Sequence, residues 1–120
     1  MPEPKERVMR LTTVANDDGD PCVRRSPSQI SSRRKDVDIV RIANGNQPNS
    51  GKSIVITLNS AEAAKLFSPV PDASMTLEAG DSVEWHLRSE EDFVGTLQLG
   101  IGTVPDRCNG TDQSDVIISC

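Results

Sequence analysis

Ser74-Met75-Thr76-Leu77-Glu78-Ala79-Gly80-Asp81-Ser82-Val83-Glu84-Trp85-His86-Leu87 alternates apolar and polar residues on either side of a Gly-Asp turn. In a pleated strand successive side chains point to opposite faces. Met75, Leu77, Val83, Trp85 and Leu87 therefore share one face, and Thr76, Glu78, Glu84 and His86 the other. Joined at Gly80-Asp81, the two halves are predicted to form a β-hairpin. The segment fixes a fold class but assembles no reactive site.

Outward from it, short alternating runs recur at 29–31, 37–43, 53–58, 95–101 and 115–119, separated by Gly, Pro, Asn and Asp. Regularly spaced short strands with turn punctuation predict an all-β sandwich or barrel. One helical turn is expected at Ala61–Phe67, with Ser60 as its cap and Pro69 as its stop. Residues 1–20 carry only a weak strand pattern around Val8-Met9-Arg10-Leu11 and end in the acidic turn Asn16–Pro21. They are read as a peripheral strand or tail, with the sandwich over 21–120.

The chain has 120 residues, the size of one domain. With no tyrosine, one tryptophan and two phenylalanines, its core must be built from Val, Ile and Leu, which suits sheets. A net charge of −5 and the scarcity of aromatic stacking platforms argue against nucleic acid and anionic membranes as partners. No apolar run reaches the ~20 residues of a membrane helix, and the first ten residues hold no signal-peptide core. A cytoplasmic location is the expectation if the chain is complete at its N-terminus.

Ser26-Pro27-x-x-Ile30, Val37-x-Ile39, Ser53-Ile54-Val55-Ile56, Phe67-Ser68-Pro69, Met75-x-Leu77-x-Ala79-Gly80-Asp81-Ser82-Val83 and Cys108 before Val116-Ile117-Ile118 follow one another in an order that resembles a cupredoxin-like domain. The resemblance covers roughly 22–120 and implies a Greek-key β-sandwich of cupredoxin or immunoglobulin-like topology, with one short helical turn. Its strongest part is Leu77-x-Ala79-Gly80-Asp81-x-Val83-x-Trp85. A blue-copper centre needs two imidazoles and a thiolate. The family places one histidine just before the strand matching 53–58, where this chain has Asn49-Ser50-Gly51-Lys52, and groups Cys, His and Met on the last loop, where Cys108 is followed by Asn109-Gly110-Thr111. The chain's one histidine, His86, falls on the polar face of its strand. The resemblance therefore implies the scaffold without copper or any other cofactor. It also implies that the first core strand and the last run parallel as neighbours, which brings Cys22 near Cys108 as a candidate disulfide pair and leaves Cys120 apart. Three free thiols are the alternative.

Gly45–Ser53 ends like a phosphate-binding loop, but its first glycine is out of register and the β-branched run Ile54–Leu58 predicts a strand where a helix is needed. Glu90-Glu91-Asp92 reads as a solvated turn. Asp17, Asp18 and Asp20 lack calcium-loop spacing. Asn109-Gly110-Thr111 matches a glycosylation acceptor, which has meaning only in a secreted chain. Arg24, Arg25, Arg33, Arg34 and Lys35 gather five of the thirteen cations, a candidate docking patch for an acidic partner. No serine lies in a nucleophile elbow, and a single histidine would have to serve any triad. The expected function is a non-catalytic binding or assembly module whose partner is protein, self or other. The alternatives are a metal-binding or redox protein using Cys22 and Cys108, or a structural accessory domain of a larger complex.

Overall fold

The structure, a computed structural model, describes residues 5–15, 21–88, 94–104 and 112–119. Along them run β1 (Glu6–Ala15), β2 (Pro21–Ser26), β3 (Ile30–Arg33), a 3₁₀ turn (Arg34–Asp36), β4 (Ile39–Asn44), β5 (Ser53–Leu58), α1 (Ser60–Ala64), β6 (Ser74–Leu77), β7 (Ser82–His86), β8 (Gly95–Val104) and β9 (Asp112–Ser119). They form two sheets, β2-β1-β4-β7 and β3-β9-β8-β5-β6. The described residues form an all-β sandwich with one short helix.

Alternation explains the core. In β4, Val40 and Ile42 point inward between half-buried neighbours; in β5, Ile54 and Ile56 do the same from the opposite sheet. Leu97, Leu99 and Ile101 of β8 and Val116 and Ile118 of β9 complete the inner face of the second sheet. Each such side chain contributes about 1.5–3 kcal/mol by leaving water. The largest pieces are Phe67, fully buried, and Trp85, 4% exposed, with ring centroids 5.5 Å apart and planes tilted by 49°.

β1 is not the peripheral strand or tail that 1–20 was expected to be. It pairs antiparallel with β2 and parallel with β4, so it lies inside its sheet. Met9 and Leu11 are fully buried. The interleaved Arg10 and the exposed Val8 occupy the outward face, which is why the segment looks polar when read along the chain. β2, which had no strand signal, is held as an edge by the register Leu11↔Arg25 and Thr13↔Val23.

The central segment is also rearranged. Its two halves are strands with the expected faces, with Leu77 and Trp85 buried and Thr76, Glu78, Glu84 and His86 exposed. They are not a hairpin, because β6 pairs with β5 through Ile54↔Leu77 and Ile56↔Met75, whereas β7 pairs with β4 through Val40↔Trp85 and Ile42↔Val83. The turn is an arch that carries the chain from one sheet to the other. Asp81 N–H donates to Glu78 O (2.9 Å), and Gly80 sits at φ +89°, which favours glycine. Both apolar faces still point into the sandwich, now from opposite walls, and alternation alone cannot tell the two arrangements apart.

The helix is shorter than expected and is capped one residue earlier. Asn59 Oδ1 accepts from the amides of Ala61 (2.9 Å) and Glu62 (3.2 Å), the role assigned above to Ser60. β3 and β9 are parallel neighbours, with Ile30 opposite Val116, as the resemblance implies for the first core strand and the last.

Candidate functional site

Strand directions place the arch 78–81 and the loop 45–52 at one end of the sandwich. There β4 finishes in Asn44, the one buried polar residue among the described residues, 2% exposed. Its Nδ2 donates to Lys52 O and Leu77 O, both at 2.9 Å, and its Oδ1 accepts from Asn46 N at 3.0 Å. Its backbone amide donates to Asp81 O (2.8 Å), and its carbonyl accepts from Gly80 N (3.0 Å). Asn46 extends the knot to β1, accepting from Thr13 N and donating to Thr13 Oγ1, each at 2.9 Å. One amide side chain thus ties β4, the 45–52 loop and β6 together. Asn44→Ala would take the side-chain donor from the buried Leu77 O and the acceptor from Asn46 N–H, at roughly 1–3 kcal/mol each, while the exposed Lys52 O keeps Asn46 Nδ2 at 3.5 Å. The expected loss is about 2–4 kcal/mol, measured as a lowered urea midpoint.

The resemblance implies a metal at such a loop end, and the described residues there do not fit one. His86 lies at the opposite end of β7, paired with Ile39 at the start of β4. Its imidazole is on the outer face, 57% exposed, with Nε2 3.9 Å from Glu84 Oε2. Asn49–Lys52, the stretch that stands where the resemblance implies a histidine, is exposed throughout. One equivalent of Cu(II) added to the purified protein is expected to give no intense absorption near 600 nm; a blue solution would overturn this assignment. Lys52 and Ser53 lead directly into β5, so the helix N-terminus that a phosphate loop requires is replaced by a strand.

Cys22 is disulfide-bonded. The chain's other cysteines, Cys108 and Cys120, lie outside the described residues, as do Asp17, Asp18, Asp20, Glu90–Asp92 and the Asn109–Thr111 sequon. The topology behind the expected pair, β3 beside β9, is present. Non-reducing peptide mapping is expected to find Cys22 joined to Cys108, and a Cys22–Cys120 peptide would show the expected pairing to be wrong.

The five basic residues fall at different levels of the fold. Arg24 and Arg25 stand opposite Thr12 and Leu11 on the edge of one sheet. Arg33 ends β3, and the turn with Arg34 and Lys35 sits beside Lys5, whose Nζ donates to Lys35 O at 3.2 Å. Six or seven residues of β1 separate the two groups, about 20 Å at ~3.3 Å per residue. The geometry does not join them into one patch.

A feature that sequence reasoning missed is the opening between β6 and β7. Because the arch sends these strands to different sheets, each becomes an edge, and the side of the sandwich between them is closed only in part. The strap 67–73 crosses it: Phe67 bridges to Leu87, Ser68 N donates to His86 O (3.0 Å), and Leu58 N donates to Ala73 O (2.9 Å). What remains is a cleft of about 380 Å³ walled by residues 82–86, by Met75 and Leu77, and by residues 69–72. That volume lies within the ~300–1,000 Å³ of ordinary binding sites. Val70, half exposed, stands on the strap. The signal was present in Pro69-Val70-Pro71, where an apolar residue is held between two prolines just ahead of a strand.

Two sheets packed face to face, the parallel β3–β9 neighbours and, among the described residues, one short helix define the chain's class, an all-β sandwich. Among solved structures it is similar to auracyanin B, at 17% identity and a TM-score of 0.45, over 100% of this chain and 93% of that one. No protein-family model and no curated protein matches the sequence.

Proposed function

We propose that the protein is a non-catalytic binding or assembly module that engages a protein partner through the open side between β6 and β7. The observation that supports this most directly is the cleft itself: apolar at its base, of ligand-site size, and flanked by the half-exposed Val70. The metal or redox alternative is disfavoured because the Cys22 sulfur is already bonded and the single imidazole lies far from the loop end. A docking role for the basic residues loses support with their separation along β1.

Affinity capture from the cells that make the protein, comparing Val70→Asp with Arg24→Glu, tests the reading. Both positions are exposed, so neither change should unfold the chain. A partner retained by the native protein and by Arg24→Glu, but lost with Val70→Asp, is the expected result. Retention by Val70→Asp would place docking elsewhere.

A further inference from the structure

We infer that β7 is a strand-addition edge, and that the cleft receives an extended, alternately apolar and basic segment of a partner protein that continues the β2-β1-β4-β7 sheet. This rests on the module reading above and specifies its occupant.

The first ground is geometric. All five residues of β7 wall the cleft, although Val83 and Trp85 point inward while Ser82, Glu84 and His86 point to the outer face. Residues of both faces of a strand border one cavity where the cavity lies along the strand's edge. β4 pairs with the other edge of β7, and among the described residues no backbone bond reaches 82–85 from the cleft side. Every second residue there directs its N–H and C=O at the cleft, as an incoming strand requires.

The second ground is a contrast among the described edges. Proteins guard exposed edges with proline or charge. β2 has Pro21, Arg24 and Arg25, and β3 ends in Arg33. β7 has neither proline nor lysine nor arginine, and its Glu84 is engaged by Arg41, which also bridges to Glu6 across the sheet. β6, Ser74–Leu77, is unguarded as well, so the two unguarded edges are the two that border the apolar cleft, and of these β7 is the one whose residues of both faces line it.

Charge selects the occupant. Asp72 and Glu84 line the cleft, with His86 beside Glu84, and no lysine or arginine lines it; Glu84 is already paired with Arg41, so Asp72 is the acidic group offered to an added strand. Alternate side chains of an added strand would meet Met75 and Leu77 on one side and the polar wall, with Asp72 as its acidic group, on the other, so apolar and basic residues should alternate. A second copy of this chain is a poorer occupant, since β7 paired antiparallel on itself about Glu84 sets like charges opposite one another.

The test uses short peptides and the emission of Trp85, the only tryptophan in the chain. Acetyl-KVKVK-amide is expected to bind and shift that emission, and acetyl-EVEVE-amide to bind at least tenfold more weakly. The decisive comparison N-methylates either the valine or the lysine amides of the first peptide. Strand addition uses only alternate amides, so one methylated form should lose tenfold or more while the other binds nearly as the parent. Equal affinity of all forms, equal loss in both, or no binding of the parent at millimolar concentration would each overturn strand addition. Capture that depends on Val70 without this asymmetry would leave the module standing and remove the strand.

Discussion

A chain lacking residues 1–15 is expected not to fold cooperatively. β1 is flanked on both sides, so its removal deletes two ladders at once and leaves β2 without its strand partner. It also empties the core of Met9 and Leu11, both fully buried. Truncating one such side chain to alanine costs about 2–5 kcal/mol. The whole stability of a domain this size is only about 5–15 kcal/mol. Far-ultraviolet dichroism across a urea titration is expected to show no sigmoidal transition for the truncated chain. A midpoint equal to that of the full chain would show that β1 is an appendage after all.

Trp85→Ala is expected to cost about 3–5 kcal/mol, the range for deleting a buried aromatic. The indole packs at 5.5 Å against Phe67 and stands opposite Val40 on the neighbouring strand, so little can collapse into the space it leaves. Its Nε1 is buried without a hydrogen-bond partner, so the loss is one of packing. Trp85→Phe, which removes the N–H and keeps a ring, should therefore retain most of the stability. The comparison is made by urea denaturation followed by dichroism, since the variants have no tryptophan to report. Equal midpoints for Ala and the native residue would show that Trp85 is not a core residue.

The inward residues of β4 to β9 were legible because burial on one side of a strand is written as a period of two, and that period needs no knowledge of the partner strand. Partnership itself was not legible. Met75, Leu77, Val83 and Trp85 carry the same pattern in a hairpin as in an arch, and the difference is decided by Asn44, whose backbone accepts from Gly80 and donates to Asp81. That residue is distant in sequence, and its side chain gives no periodic signal. β1 was misjudged for a related reason: Arg7 and Arg10 beside Met9 and Leu11 look like a solvated run until the flanking strands show which face is covered. The cleft could not be read before the arch was known, because it exists only when β6 and β7 belong to different sheets.

The arch also sets how the molecule must form. Local hairpins let a sheet zip from neighbours in sequence, but here β4 must find β1 and β7, and β3 must find β9 from the other end of the chain. Each of those encounters carries the entropic cost of closing a long loop before any contact rewards it. Proteins dominated by such pairings fold in roughly milliseconds to seconds, whereas helical bundles take microseconds to milliseconds. Until β9 arrives, β3 has no strand partner and the second sheet cannot close.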